Sequence, residues 1–139
     1  MGTIMLDKIF DNPALNNLIK LAARVLIAAI FIQAGFNKIP GYAGTTGYMA
    51  SAGVPGALLP LVIAVELVGG LMILVGFQTR LAAFLLAGFC LLSAWLFHFQ
   101  PGNTGQMLQF MKNLAIAGGF LQMVATGPGA WSVDGRGRG

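Results

Sequence analysis

The chain has 139 residues, of which 57% are hydrophobic and only 9% are charged. Because so few charged side chains cannot coat a water-soluble globule, this composition excludes an ordinary soluble domain and favours an integral membrane protein. The formal net charge is +4, but the Lys and Arg residues are scattered and form no basic stripe, so we expect no nucleic-acid partner.

Residues 1–17 alternate apolar and charged side chains before an Asn-Pro break, and we expect an interfacial N-terminal segment there. Four apolar blocks follow, each near the roughly 20 residues that a helix needs to cross a hydrocarbon core of about 30 Å. The predicted spans are residues 18–36, 58–77, 81–99 and 107–125. The sequence therefore predicts an all-α, integral membrane four-helix bundle embedded in a lipid bilayer.

The connections between these spans differ greatly in length. Residues 37–57 are rich in glycine and contain two prolines, which predicts a loop around a short helix over 42–52. Residues 78–80 join the second and third spans so closely that these two helices must be adjacent and antiparallel. We expect residues 135–139 to form a flexible tail. Residues 18–134 are then one membrane domain.

Positive charges are unequally distributed between the two sides of the predicted bundle. The side that carries the long connection has only Lys38 and Lys112. The other side collects Lys8, Lys20, Arg24, Arg80, Arg136 and Arg138. Since Lys and Arg are enriched on the cytoplasmic side of membrane proteins, both termini are predicted to lie in the cytoplasm (N-in/C-in). The long connection then faces the periplasm across a bacterial inner membrane.

Glu66 lies in the middle of the second span with apolar neighbours on both sides. An unpaired carboxylate in hydrocarbon costs several kcal/mol, so Glu66 should face the interior of the bundle, protonated or paired. Each of the four spans brings a polar group toward the outward end. We predict an outward-facing ligand-binding site made of Lys38, Glu66, His98, Lys112 and Asn113. A second hypothesis for Glu66 is a structural ion pair with Arg24 of the first span. The lysines could equally extend to the membrane interface.

The sequence predicts no intrinsic haem or metal. One histidine cannot provide bis-histidine haem ligation, and one cysteine with one histidine makes no zinc cluster. The methionines are dispersed, which argues against copper. The pattern fits an amphipathic pocket with apolar walls and an ionisable pair. Such a pocket matches a quinone head group, or a small thiol-type or aromatic molecule.

Several short motifs resemble those of a known family across residues 18–134. They are Arg24, Gly35-Phe36-Asn37-Lys38, Tyr48-Met49, Glu66 with Gly69-Gly70, Gly76-Phe77, Thr79-Arg80, His98, Lys112-Asn113-Leu114 and Thr126-Gly127-Pro128-Gly129-Ala130. The chain resembles the DoxX family of small bacterial inner-membrane proteins, in particular its short four-helix branch. The family takes its name from subunits of an archaeal thiosulfate:quinone oxidoreductase, so the resemblance implies a redox association with the quinone pool. Because the chain has no CxxC motif, electron transfer would need a bound quinone or a partner protein.

Three functions stay open at this point. The leading hypothesis is binding of a quinone or another small redox molecule in the outward-facing site, as part of a redox assembly, with enzymatic activity of the chain itself left open. The first alternative is a non-enzymatic structural or accessory subunit, in which Ala115 and Gly119 support helix contacts or a homo-oligomer. The second is a small proton-coupled transporter that uses Glu66 as its coupling carboxylate.

Overall fold

The computed structural model describes residues 2–136, and the side chains of residues 5–136. Every regular element in that part of the chain is helical, so the predicted all-α class is confirmed. The elements are α1 (Gly2–Phe10), α2 (Pro13–Lys38), α3 (Tyr42–Ser51), a 3-10 turn (Gly56–Leu58), α4 (Leu59–Val75), α5 (Thr79–Ser93), a π turn (Ala94–His98), α6 (Thr104–Thr126) and α7 (Val133–Arg136).

The helix α2 is longer than the predicted span 18–36, because it begins at Pro13 and continues to Lys38. Proline suits the first helical position, where its missing N–H has no partner within the helix. Oδ1 of Asn12 accepts a hydrogen bond of 3.2 Å from the first turn. Asn103 caps α6 in the same way, at 3.1 Å. These polar caps explain why both helices begin several residues before their apolar blocks.

Three helical segments are long and apolar enough to cross a membrane, and they contain most of the first three predicted spans. They are Pro13–Lys38, Gly56–Val75 and Thr79–His98. The helix α6 is not among them. Its 23 residues reach about 34 Å at 1.5 Å per residue, but they include one lysine, one asparagine and three glutamines. The fourth span and the N-in/C-in orientation therefore stay predictions.

The long helices pack in sequence order around an apolar core. α2 packs against α4, α4 against α5, and α5 against α6. In the core the rings of Phe31 and Phe120 lie 5.3 Å apart between centroids. Glycine allows α2 and α4 to approach closely, since a Cβ at Gly70 would lie 2.8 Å from Cγ1 of Ile32. Apolar side chains also cover the outside of the molecule, as at Leu26, which is 75% exposed. Such a surface suits lipid rather than water.

The connection between α4 and α5 is tight, as predicted, and the end of the chain packs on it. Gly76 ends α4 with φ +73°, and a Cβ there would clash with Cβ of Ser132. The carboxylate of Asp134 accepts hydrogen bonds of 2.8 Å from the backbone N–H groups of Gln78 and Thr79. We call the turn between α4 and α5 together with the end of the chain that packs on it, residues 76–79 and 132–134, the tail end. The helix α7 includes the first two residues of the predicted flexible tail, and the last three lie outside the described residues.

Candidate functional site

A cavity of about 520 Å³ lies between α2, α3, α4, α5 and α6, beside the end of α2. We call it the Glu66 cavity. Most of its lining is apolar and includes Phe31, Phe89 and Ile116. Four of the residues that the sequence assigns to a ligand site line this cavity together: Lys38, Glu66, His98 and Asn113. The fold thus places polar groups from four separate elements around one apolar space.

Lys38 and Glu66 form an ion pair that joins the end of α2 to the third turn of α4. Nζ of Lys38 lies 2.8 Å from Oε1 of Glu66 and donates a hydrogen bond of 3.2 Å to Oε2. The contact with Oε1 lacks hydrogen-bond geometry and is a contact between charges. The Glu66 side chain is 5% exposed, whereas that of Lys38 is 28% exposed. Gly35 leaves room for this arrangement, since a Cβ there would lie 3.1 Å from Cβ of Glu66.

A π turn brings His98 to the cavity. The turn, Ala94–His98, continues α5 with a wider hydrogen-bonding pattern, a feature that is frequent at functional sites. Nδ1 of His98 lies 2.8 Å from Oε1 of Gln106 near the start of α6. Further along α6, Nδ2 of Asn113 donates a hydrogen bond of 3.2 Å to the carbonyl of Gln109. The hydrogen bond between His98 and Gln106 therefore joins the π turn to α6 at the cavity.

The short helix α3 closes part of the cavity, although none of its residues was predicted to belong to the site. Thr45, Tyr48 and Met49 line the cavity, and Met49 is buried. The ring of Tyr48 stacks on that of Phe97 with centroids 5.6 Å apart, and its hydroxyl donates a hydrogen bond of 3.3 Å to the Phe97 carbonyl. The available signal was a short predicted helix in the longest connection, where functional residues often occur.

Comparison of the sequence with known proteins identifies relatives of this chain. The DoxX family model matches residues 19–99. The chain belongs to the DoxX family. Inner membrane protein YqjF of Escherichia coli (strain K12) is 56% identical over 114 residues, which cover 82% of this chain and 88% of the relative. Inner membrane protein YphA of the same organism is 41% identical over 134 residues, covering 91% and 96%.

A third relative is more distant. "Putative oxidoreductase CatD" of Bacillus subtilis (strain 168) is 34% identical over 67 residues, which cover 48% of this chain and 50% of the relative. No solved structure matches the chain. The two predictions that these comparisons confirm are membership of the DoxX family and a location in the bacterial inner membrane, as a multi-pass protein.

The alternative ion pair between Arg24 and Glu66 is not observed in this DoxX protein. The Arg24 guanidinium donates to the carbonyls of Leu74, at 3.1 Å, and Trp131, whereas Glu66 is paired with Lys38. The contacts Lys38–Glu66 and Arg24–Leu74 show that α2 and α4 run antiparallel. Because helical side chains lean toward the N-terminus of their own helix, Arg24 leans toward the tail end and Glu66 toward the cavity.

Lys112 is the one predicted site residue that does not line the Glu66 cavity; it is exposed on α6. Successive helical residues are rotated by about 100°, so Lys112 and its neighbour Asn113 cannot face the same way. Among the described residues no group of three or more His, Cys, Asp or Glu side chains could hold a metal ion. Of the predicted site residues, Lys38, Glu66, His98 and Asn113 therefore remain in the candidate site.

A second cavity, of about 580 Å³, lies at the tail end and is more open. Arg24, Trp131 and Arg136 line it. Two nitrogens of Arg24 are bonded to backbone carbonyls, and its Nε is buried without a hydrogen-bond partner in the described chain. The tail-end cavity is therefore a groove over a structural arginine, and the Glu66 cavity is the better candidate for a ligand.

Proposed function

We propose that this DoxX protein binds a quinone or another small redox molecule in the Glu66 cavity, as part of a redox assembly in the inner membrane. The observation that carries the proposal is the Lys38–Glu66 ion pair in the wall of a mostly apolar cavity. Its volume of about 520 Å³ falls within the range of about 300–1,000 Å³ of small-molecule sites. An intramembrane carboxylate beside such a space is a functional hypothesis by default.

The chemistry of the lining suits a flat ring that carries oxygen atoms. A quinone has apolar faces and two carbonyl oxygens that only accept hydrogen bonds. The ammonium of Lys38 has three N–H donors and could bind one of these oxygens and stabilise negative charge there. Glu66 or His98 could exchange protons with the ring oxygens, a role that a positioned carboxylate or imidazole fulfils in general acid–base catalysis.

A redox role also agrees with the name of the Bacillus relative, which contains the word oxidoreductase. The cysteine of this chain offers no route for thiol exchange with a soluble partner, because Cys90 is buried in α5. Electrons would therefore pass between the bound molecule and a partner protein. We leave open whether the chain catalyses a reaction by itself.

For the membrane arrangement, we propose that α6 is a fourth span and that both termini lie in the cytoplasm. The support is the charge distribution: Lys20, Arg24 and Arg80 lie toward the tail end, together with Arg136. The positive-inside rule places that end in the cytoplasm. The Glu66 cavity then faces the periplasmic half of the membrane.

The test is mass spectrometry of organic extracts from protein purified in mild detergent. Wild type, Glu66→Gln and the control Asp11→Asn, which removes an exposed carboxylate, are compared after circular dichroism has established that each is folded. We expect a quinone-class molecule in wild type and Asp11→Asn and its loss from Glu66→Gln. Equal retention by all three proteins, or no bound molecule in any of them, would contradict the proposal.

A second candidate function is supported by the same ion pair. Because Lys38–Glu66 joins α2 to α4, the carboxylate could serve mainly to hold the helices together in a non-enzymatic accessory subunit. Such a subunit would contain no organic ligand, would lose its fold in Glu66→Gln, and would co-purify with another membrane protein. Loss of the fold without any ligand in wild type would favour this function.

A further inference from the structure

Several polar groups that line the Glu66 cavity offer hydrogen-bond acceptors rather than donors to a ligand. A hydroxyl has one proton to donate and two lone pairs. The hydroxyl of Thr45 donates to the carbonyl of Gly41 at 3.0 Å, and that of Tyr48 donates to the carbonyl of Phe97 at 3.3 Å. Both hydroxyls thus use their proton within the protein and keep lone pairs for a ligand.

His98 also becomes an acceptor, because of its contact with Gln106. Nδ1 of His98 lies 2.8 Å from Oε1 of Gln106. An amide oxygen cannot donate a hydrogen bond, so a neutral imidazole in this contact carries its proton on Nδ1. The other nitrogen, Nε2, then carries a lone pair. The hydrogen bond to Gln106 therefore selects the tautomer of His98 that can accept from a ligand.

Two further groups of the lining, Glu66 and Asn113, also offer acceptors. The Glu66 carboxylate only accepts, and its two oxygens offer about four lone-pair positions, which Lys38 fills in part. Asn113 uses one amide N–H on the carbonyl of Gln109, and no described residue donates to its Oδ1. Lys38 and Asn113 keep N–H donors, and the side chains of Ser93 and Gln109, which also line the cavity, can both donate and accept. The acceptors on Glu66 and His98 nevertheless favour a ligand that brings its own O–H groups.

We infer that the Glu66 cavity binds the hydroquinone form of its ligand in preference to the quinone form, an inference that rests on the proposed function. A hydroquinone has two hydroxyls, which can donate to Nε2 of His98 and to an oxygen of Glu66, and whose oxygens can still accept from Lys38. A quinone has no donor and could satisfy none of these acceptors, which should weaken its binding relative to that of the hydroquinone. Gln106 is the positioning residue that sets this selectivity through His98.

The test compares two forms of one probe, ubiquinol-1 and ubiquinone-1, by anaerobic calorimetry with protein in lipid nanodiscs and with empty nanodiscs as the blank. We expect wild type to bind ubiquinol-1 about tenfold more tightly, which corresponds to about 1.4 kcal/mol, or one hydrogen bond. The dimethyl ether of ubiquinol-1 keeps the ring but has no hydroxyl, and it should bind no better than ubiquinone-1.

Variants at Gln106 make the test specific. Gln106→Leu removes the acceptor that fixes the tautomer and should reduce the tenfold preference to about twofold or less. Gln106→Glu places a carboxylate beside Nδ1, which favours the imidazolium with a donor on Nε2, so it should also reduce the preference. The control Gln122→Leu, which changes an exposed glutamine on the same helix, should retain it. Equal binding of both forms by wild type, or an unchanged preference in folded Gln106→Leu, would overturn this inference and leave the proposed function intact. Absence of binding by either form would overturn both.

Discussion

The tail end and the Glu66 cavity both bury charged side chains, but they satisfy them with different partners. At the tail end Arg24, which is 1% exposed, donates to two backbone carbonyls, and Asp134 accepts from two backbone N–H groups. These groups complete the ends of α4 and α5, where a helix leaves backbone groups unpaired. At the cavity, Lys38 and Glu66 bind each other next to open space.

This difference separates a charge that stabilises the fold from one that can act on a ligand. The two Arg24 nitrogens that form hydrogen bonds and the Asp134 carboxylate are paired with main-chain groups, which no ligand can replace without unfolding the turn. The Lys38–Glu66 pair consists of two side chains, and the lysine is partly accessible. A ligand could exchange one of these contacts for its own at little cost to the fold. Mutations at the two sites should therefore affect different properties.

The largest effect on stability is expected at Arg24. Replacing Arg24 by Met leaves the carbonyls of Leu74 and Trp131 without their charged donor, and hydrogen bonds to charged groups contribute about 1.5–3 kcal/mol each. We expect a loss of at least about 3 kcal/mol in the free energy of unfolding. The measurement is denaturant unfolding in detergent, followed by circular dichroism.

Arg136→Met is the matched control for this prediction, because Arg136 lies at the same end but is exposed. It should unfold like wild type, since surface substitutions usually have little effect. If Arg24→Met were as stable as Arg136→Met, the hydrogen bonds of Arg24 would not stabilise the fold. The proposed difference between the tail end and the Glu66 cavity would then be contradicted.

An intermediate effect is expected at the ion pair, where a double-mutant cycle distinguishes stability from ligand binding. Lys38→Met and Glu66→Gln each leave one member of the pair without its partner, and we expect each to lower the unfolding free energy by about 1–3 kcal/mol. The double variant has neither charge and should be more stable than the sum of the single losses predicts. Ligand retention, measured by mass spectrometry, should be lost in all three variants.

The informative outcome of this cycle is the comparison of its two readouts. Restored stability together with lost ligand would show that the pair is needed for binding beyond its role in the fold. Restored ligand in the double variant would instead mean that the charges matter only for the shape of the cavity, and it would weaken the contrast with the tail end.

The sequence predicted the central feature of the site, because a carboxylate such as Glu66 in an apolar span has few acceptable positions. It did not predict the partner. Depth along a helix placed Arg24 within reach of Glu66, but depth alone ignores the lean of helical side chains toward the N-terminus. Lys112 was included in the predicted site for a related reason. Two adjacent polar residues, Lys112 and Asn113, do not indicate by themselves which of them faces the interior of the bundle.

The contribution of α3 could not be predicted from local pattern. The contact between Tyr48 and Phe97 joins residues 49 positions apart and depends on a π turn that periodicity of 3.6 residues does not indicate. The packing of Asp134 on the turn at Gly76 was unpredictable for the same reason. It depends on the tertiary fold, which brings the end of the chain back to the turn between α4 and α5. Element types were predictable from the sequence, whereas these contacts between residues distant in sequence were not.

The smallest effect is expected at Tyr48, and it concerns access to the cavity. Tyr48→Phe removes the hydroxyl that donates to the Phe97 carbonyl and keeps the stacked ring. An exposed neutral hydrogen bond contributes about 0.5 kcal/mol, so amide exchange over Tyr42–Ser51 should accelerate about twofold, while exchange in α4 stays unchanged. Tyr42→Phe, which alters the other tyrosine of the same helix, is the control and should exchange like wild type. Identical exchange in both variants would mean that ring stacking and the burial of Met49 are enough to hold α3 in place. The helix α3 would then be a fixed part of the fold, like the tail end, and would not control access to the cavity.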